Sequence, residues 1–163
     1  MDVDYREFSE KSERYAYINA QLDRILAETD DVCAGLANAS ALLRLLMPRL
    51  NWAGFYLMKN GALVLGPFQG KPAVARIKVG AGVCGTAVAQ GAPQIVENVH
   101  TCCNHIACDA ASSSEIVVPI HVRGAIFGVI DIDSPVVANC DAEDLAGLQR
   151  ASEKIGTFIE KHS

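Results

Sequence analysis

The spacing of apolar residues in the first third of the chain is typical of two amphipathic helices. Between residues 5 and 28, apolar side chains recur at near-heptad intervals among charged and amide residues, which predicts a first helix. A leucine-rich run predicts a second helix, for which Asp30 or Asp31 can act as the N-cap and which ends before Pro48. We therefore expect N-terminal helices over about residues 5–47.

The periodicity then changes to that of β-strands, over about residues 51–134. An Asn-Gly pair at residues 60–61 separates two strand-like runs, which is the strongest short signal for a β-hairpin. An Arg-Gly turn at residues 123–124 separates a second pair. Between the hairpins lie two shorter strand candidates, AVARIKV and PQIVEN, and a short helix over about residues 84–90.

The order of these elements predicts the fold class. Asp141 is placed to begin a C-terminal helix over about residues 141–161, and the irregular loop at residues 97–114 is long enough to suggest a function. Helices at both ends of two hairpins predict an α/β protein with a mostly antiparallel sheet, not a doubly wound parallel one. Because no repeat or linker divides the chain, we expect one domain over residues 1–163.

The composition excludes several classes of protein. Half of the residues are hydrophobic and 20% are charged, which is typical of a globular protein and not of a disordered one. The net charge is −5 without a basic cluster, so we expect no nucleic acid partner. No apolar run approaches the roughly 18 residues of a membrane span, and the first residues lack the features of a signal peptide. We therefore expect no membrane association and a cytoplasmic location.

The second hairpin carries candidate catalytic or binding acids. Strand alternation predicts that Asp131 and Asp133 share one face, together with Phe127. Two carboxylates about 7 Å apart raise the pKa of one of them or require a cation between them; alternatively, both bind turn amides at the strand end. Glu115 begins the neighbouring strand and is either a third acid at the same place or a solvated strand end.

An aromatic pair lies on the first predicted strand. Trp52 and Tyr56 share one face, with Gly54 between them. Two rings around such a gap can hold a small apolar group or a cation, although such rings are often simply part of the core. Together with the acids, the pair would suit a small zwitterion that has an ammonium group and an apolar tail.

The chain has six cysteines, four of them between residues 84 and 108. A chain that can build a full core needs no disulfide framework, so the cluster indicates redox chemistry, metal binding or coincidence. Cys84 is predicted at a helix N-terminus, where free amides lower the pKa of a thiol. The glycine-rich segment before it matches no phosphate-binding motif. For Cys33 and Cys140 we expect small buried hydrophobic residues.

The segment HTCCNHIACD offers five soft metal ligands, which are His100, Cys102, Cys103, His105 and Cys108. Zinc would accept such ligands, but structural zinc sites pair two-ligand units such as C-x-x-C, and the segment has none. We therefore expect no metal and no other cofactor. His105 either tunes a neighbouring thiol or is solvated.

Five separate blocks carry a family resemblance: NWAGFYL, LVLGPFQGK, GVCGTA, HIACDAASSSEIVVP and GVIDIDS. With these blocks in this order, the chain resembles the free methionine-(R)-sulfoxide reductases, a family of GAF-domain proteins. The resemblance implies a central six-stranded antiparallel sheet flanked by helices, usually in a homodimer. It also implies reduction of the free amino acid methionine-(R)-sulfoxide, with thioredoxin as the electron donor.

The resemblance assigns roles to two of the cysteines. The cysteine of HIACD, Cys108, is the attacking thiol of such enzymes, and the cysteine of GVCG, Cys84, is a resolving thiol. Some members have a further cysteine where this chain has Val74, so Cys84 is the one resolving thiol that matches a motif. Cys102 and Cys103 do not belong to the pattern, and their closeness to Cys108 in sequence makes them alternative resolving thiols.

The resemblance also identifies substrate-binding residues. Trp52 and Tyr56 match the aromatic residues of the pocket, with the tryptophan ring facing the methyl group of the substrate. Glu115, Asp131 and Asp133 match the carboxylates that hold the polar end of the substrate and the sulfoxide.

The chemistry expected of such a site is a two-stage reduction. A thiolate attacks the sulfoxide sulfur, and a carboxylic acid with a raised pKa supplies a proton to the oxygen. The resulting sulfenic acid condenses with a second thiol to give an intramolecular disulfide, which thioredoxin reduces. The alternative is a non-catalytic GAF module that senses a small ligand or the redox state.

Overall fold

The structure is a computed structural model that describes residues 3–4, 7–101 and 110–163. The predicted N-terminal helices are confirmed as α1 (Lys11–Ala27) and α2 (Val32–Leu46). Asp31 caps α2, since its side chain accepts a hydrogen bond from the backbone N–H of Ala34 at 2.8 Å. The first helix begins later than predicted. Phe8, which the periodicity placed on α1, precedes the helix, and its ring packs on Tyr17 with the centroids 5.3 Å apart.

A six-stranded sheet with the order β3-β2-β1-β6-β5-β4 follows, and every pairing in it is antiparallel. Its strands are β1 (Trp52–Lys59), β2 (Ala62–Gln69), β3 (Arg76–Lys78), β4 (Gln94–Val96), β5 (Ser114–Val122) and β6 (Ala125–Ser134). Helix α3 (Gly82–Gln90) lies between β3 and β4, and α4 (Ala142–His162) follows β6. The predicted fold class is confirmed, although β3 is shorter than its alternating run predicted. The described part of the chain has no helix that is long and apolar enough to cross a membrane.

Both hairpin turns are confirmed by their backbone conformation. Asn60 and Gly61 have φ values of 52° and 75°, and Arg123 and Gly124 have φ values of 49° and 77°. Two consecutive residues with positive φ are the mark of a type I′ turn, whose twist matches that of the strands it joins. The turns therefore fix the register of both hairpins.

A β-bulge near the second turn contradicts one predicted side-chain direction. Ile120 pairs with Gly128 whereas His121 pairs with Ile126, so Phe127 is an extra residue in β6. The side chain of Phe127 packs with the core residues that include Ile130, and not on the face of the acids as predicted. The register beyond the bulge is regular, and the alternation predicted for Asp131 and Asp133 is therefore preserved.

The two faces of the sheet have different roles. Helices α2 and α4 cover one face and α1 packs on these two helices, so that Phe55, Ile130 and the apolar side chains of the three helices form the larger core. The opposite face carries a second, smaller cluster with Trp52, Tyr56 and Cys84, which α3 covers. Because side chains alternate along a strand, neighbouring residues of β1 contribute to different clusters. The candidate site lies in the smaller cluster.

Candidate active site

Strand pairing brings the predicted acids and aromatic residues together. Trp52 of β1 lies opposite Asp133 of β6, which in turn lies opposite Glu115 of β5. In the next row, Gly54 lies opposite Asp131. Directly opposed residues point to the same face of a sheet. The register therefore places three carboxyl groups and a tryptophan ring on one face, as the sequence predicts.

Helix α3 adds a thiol to the acids. Cys84 lies in its first turn, and its Sγ atom is 4.0 Å from Oε1 of Glu115. One donor atom each of Cys84, Glu115 and Asp131 lies within 4.8 Å of the others. The three residues are only 2%, 6% and 2% exposed, respectively. They form a compact polar cluster, which we call the acid–thiol cluster, in a layer whose other buried side chains are mainly apolar apart from Asp133.

Burial determines the protonation of the acid–thiol cluster. Desolvation raises the pKa of Asp131 well above its usual range, and the nearby Glu115 carboxylate raises it further. Desolvation and the charge of Asp133 likewise raise the pKa of Glu115, although hydrogen bonding with Asp131 opposes this shift. The Oδ1 atom of Asp131 has no hydrogen-bond partner within the part of the chain that the structure describes. The cluster can therefore retain a proton where exposed carboxyl groups are ionised.

The prediction that the helix N-terminus lowers the pKa of the Cys84 thiol is wrong. Burial raises its pKa well above the usual value, and the carboxylates of Asp131 and Glu115 raise it further. A helix N-terminus typically contributes roughly 0.3–1 kcal/mol toward an anion, which is small beside the cost of burying a thiolate next to like charges. Cys84 therefore rests as a neutral thiol.

The aromatic residues form a fixed wall beside the acids. The Trp52 ring stacks on Phe68 with a centroid distance of 5.2 Å and on Tyr56 with a distance of 6.0 Å. The indole N–H of Trp52 donates to the carbonyl of Lys71 at 3.1 Å, and the Tyr56 hydroxyl donates to the carbonyl of Val74 at 2.9 Å. These bonds hold the rings and the segment after β2 in one arrangement. Sequence reasoning missed Phe68, although it lies in the LVLGPFQGK block.

The gap predicted at Gly54 is filled. A Cβ atom at this position would lie 2.8 Å from Cη2 of Trp52 and 2.8 Å from the backbone of Phe68. Gly54 therefore allows two rings to approach the strand, and it does not leave an open space between Trp52 and Tyr56. The apolar group of a ligand would contact the stacked rings and not enter a hole between them.

A polar contact that sequence reasoning missed fixes the chain before β5. The side-chain amide of Asn51 donates to Oγ of Ser112 at 2.9 Å, and Ser112 is almost fully buried. Asn51 also donates its backbone N–H to the carbonyl of Asp133 at 3.1 Å. Asn51 thus links β6, which carries Asp133, to Ser112, which lies four residues after Cys108 in the chain. The only sequence signal was an asparagine directly before the tryptophan.

Four of the predicted candidates, Cys102, Cys103, His105 and Cys108, lie outside the described residues. The fifth residue of that group, His100, is exposed in a short 3₁₀ helix at Val99–Thr101.

Two cysteines lie away from the site. Cys140 is buried, as expected, but Cys33 is exposed, because it lies on the solvent-facing side of α2. The expectation that Cys33 is a core residue is therefore wrong.

Comparison with known proteins agrees with this geometry. The model of the GAF domain family matches residues 39–160. The chain is 52% identical over 140 residues to the free methionine-R-sulfoxide reductase of Escherichia coli, an alignment that covers 86% of this chain and 85% of that protein.

Solved structures extend the likeness to three dimensions. The free methionine-R-sulfoxide reductase of Neisseria meningitidis in complex with its substrate superposes with a TM-score of 0.92 at 37% identity, over 96% of this chain and 94% of that one. The reduced form of fRMsr of Staphylococcus aureus superposes with a TM-score of 0.85 at 43% identity, over 89% of this chain and 94% of that one. On these grounds the chain belongs to the free methionine-(R)-sulfoxide reductase family of GAF-domain proteins.

Proposed function

We propose that this protein is an oxidoreductase that reduces free methionine-(R)-sulfoxide to methionine. One observation carries the proposal: a buried acid–thiol cluster lies beside a fixed wall of stacked rings on one face of the sheet. Relatives from Escherichia coli and Neisseria meningitidis bear the name of this activity, and the latter was solved with its substrate.

The substrate has a polar end and an apolar end, and the site offers a surface for each. Its ammonium group would bind among the carboxylates of Glu115, Asp131 and Asp133, where the charges attract a cation. Its methyl group would contact the Trp52 ring, which stacking and a hydrogen bond hold in place. Tyr56 supports this ring from one side. A small zwitterion satisfies both surfaces at once, whereas a peptide-bound residue has no ammonium group to place among the acids.

Cys108 acts as the nucleophile in this mechanism, on the evidence of the HIACD motif. Its thiolate attacks the sulfoxide sulfur while the oxygen takes a proton from a carboxylic acid of the cluster, and the oxygen then passes to Sγ of Cys108 as its bond to the substrate sulfur breaks. Buried carboxyl groups with raised pKa values are suited to hold that proton near neutral pH. Methionine leaves, and the oxygen remains on Cys108 as a sulfenic acid.

Cys84 then resolves the sulfenic acid. Its sulfur attacks the Cys108 sulfur, an S–S bond forms, and the oxygen leaves as water with the proton of the Cys84 thiol. The buried Cys84 retains that proton at rest, because burial and the neighbouring acids raise its pKa. Cys102 and Cys103 remain the alternative resolving thiols.

Two electrons from an external dithiol close the cycle. A thioredoxin, with a potential near about −270 mV, is the class of reductant that reduces an accessible protein disulfide. Following the family resemblance, we also propose that the enzyme functions as a cytoplasmic homodimer of single-domain chains and without a cofactor.

Single-turnover measurements on cysteine variants test the proposal. Cys108→Ser should release no methionine while still binding the substrate, because the nucleophile is lost and the pocket remains. Cys84→Ser should release about one methionine per subunit but fail to recycle with thioredoxin. Cys33→Ser, which changes an exposed thiol far from the site, serves as the control.

Each variant can contradict a separate part of the mechanism. Turnover of Cys108→Ser near the wild-type rate would show that the nucleophile is misassigned. Full thioredoxin-linked cycling of Cys84→Ser would assign resolution to Cys102 or Cys103.

A further inference from the structure

We propose that the acid–thiol cluster of Cys84, Glu115 and Asp131 is also a site for a divalent cation of intermediate softness, such as Zn²⁺, and that the bound cation excludes the substrate. The binding part of this inference depends on the geometry of the three residues alone. The inhibition part rests on the proposed function.

The distances in the cluster are close to those of a metal site. A tetrahedral zinc ion has Zn–S bonds of about 2.3 Å and Zn–O bonds of about 2.0 Å, which places its sulfur and oxygen ligands about 3.5 Å apart. The Sγ atom of Cys84 is 4.0 Å from Oε1 of Glu115, and the donor atoms of all three residues lie within 4.8 Å of one another. Side-chain adjustments of about 1 Å would close the site around an ion.

A second observation points to a ligand at this place. The Asp131 side chain is almost completely buried, yet its Oδ1 atom has no hydrogen-bond partner among the residues that the structure describes. A buried polar atom without a partner destabilises a fold, and a bound water, ion or ligand group can satisfy it. A cation bound to the Asp131 carboxylate would provide the missing partner.

The chemistry of the donors selects the class of ion. One thiolate and two carboxylates suit Zn²⁺ or Co²⁺, whereas Mg²⁺ and Ca²⁺ prefer oxygen ligands alone. Three protein ligands leave a fourth position for water, as in open zinc sites. Binding would release the Cys84 proton and any proton shared by the two carboxyl groups.

The same carboxylates are proposed to hold the substrate ammonium group, so the two ligands compete. A bound ion would also convert Cys84 from a free thiol into a metal ligand. Loss of reductase activity would then follow from occupancy of one site, and it would be reversed by a chelator.

Cobalt(II) titration of the full-length reduced protein tests the site without an activity assay. A cobalt–thiolate bond gives a charge-transfer band in the near ultraviolet, which should appear in the wild type with one ion bound per chain. Cys84→Ser should remove the band. Asp131→Asn, which keeps the shape of the side chain, should weaken cobalt binding by about tenfold or more. Zn²⁺ should displace the cobalt.

Two controls separate this site from the other thiols of the chain. The band should persist in Cys33→Ser and in a triple variant with serine at Cys102, Cys103 and Cys108. A band that survives Cys84→Ser and disappears in the triple variant would overturn the inference, because the ion would then be bound by the HTCCNHIACD segment. The absence of a band from folded wild-type protein would overturn it as well.

Kinetics test the inhibition separately. Zn²⁺ should raise the KM for free methionine-(R)-sulfoxide without lowering kcat, and excess substrate should reduce the cobalt band. A Cys84-dependent band in a protein without reductase activity would support the site and contradict the proposed function. Reductase activity without such a band would support the proposed function and contradict the cation site.

Discussion

Replacing Asp131 by asparagine should raise the thermal stability of the protein and lower its catalytic efficiency. The Asp131 carboxyl is almost fully buried, close to Glu115, and has an oxygen without a hydrogen-bond partner among the described residues. In the unliganded protein this group therefore opposes folding. In the complex the same group is proposed to hold the substrate ammonium. A neutral side chain of equal shape removes the charge on which both effects depend.

The size of each effect follows from the burial. Burial raises the pKa of Asp131 well above its usual range, and each tenfold change in proton affinity corresponds to about 1.4 kcal/mol that ionisation at neutral pH costs the fold. For a chain of 163 residues, each kcal/mol moves the Tm by about 2–4 °C, so Asp131→Asn should raise the Tm at pH 7 by at least about 2 °C. A hydrogen bond between charged groups is worth about 1.5–3 kcal/mol, so kcat/KM should fall by about 10- to 150-fold.

The pH dependence gives the sign of the stability effect. Burial raises the pKa of Asp131 in the folded protein above the value of about 3.9 expected in the unfolded chain. The folded state therefore binds this proton more strongly. The contribution of Asp131 to the free energy of unfolding is favourable below about pH 4 and is lost as the pH rises through the folded-state pKa. The Tm difference between Asp131→Asn and the wild type should thus be small near pH 4 and grow toward neutral pH.

The same substitution at Asp141 is the matched control with the opposite sign. Asp141 is the exposed N-cap of α4, and its hydrogen bond with Lys11 lowers its pKa to about 2. Its contribution to stability is present above about pH 4 and is lost as the pH falls toward 2. Asp141→Asn should therefore lower the Tm slightly at pH 7 and leave kcat/KM unchanged. Differential scanning fluorimetry at several pH values and steady-state kinetics measure both variants.

Two results would refute this reasoning. The first is a lower Tm for Asp131→Asn at pH 7, which would show that the carboxyl stabilises the unliganded fold. The second is a kcat/KM within twofold of the wild type, which would remove Asp131 from the substrate site.

Two further predictions concern packing and thiol access. Gly54→Ala should destabilise the protein by about 1–3 kcal/mol, because its Cβ would overlap the backbone of Phe68 and the ring of Trp52. Thermal melts should show a lower Tm, and substrate titration should show a higher KM. An unchanged KM would contradict the role of the stacked rings. Alkylation of the native protein followed by peptide mass spectrometry should modify the exposed Cys33 at least about tenfold faster than the buried, protonated Cys84, and equal rates would contradict the buried position of Cys84.

The sequence could predict the elements and the acid pair because both depend on local pattern. Asn60-Gly61 fixes a turn by its backbone preference, and period-two alternation places Asp131 and Asp133 on one face. The same alternation predicted the wrong face for Phe127, because the β-bulge adds a residue to β6 and cannot be recognised from the sequence pattern.

The protonation of the site could not be predicted in this way. The helix N-terminus at Cys84 is visible in the sequence, but the pKa of this thiol is raised by its burial in the fold and by carboxyl groups 31 and 47 residues further along the chain. Likewise, the gap expected at Gly54 is filled by Phe68, a residue of the neighbouring strand. Both errors arise where tertiary packing overrides a local preference.

The central claim, reduction of the free amino acid through recognition of its ammonium group, is tested most directly by a substrate panel. The purified protein, thioredoxin, thioredoxin reductase and NADPH would be supplied with free methionine-(R)-sulfoxide, its S epimer or the N-acetylated R compound, and the thioether product quantified by chromatography. We predict methionine from the free R epimer only, with kcat/KM for the N-acetylated compound lower by more than about tenfold. Comparable rates on the free and N-acetylated R compounds, or no methionine from the free R epimer, would contradict the account.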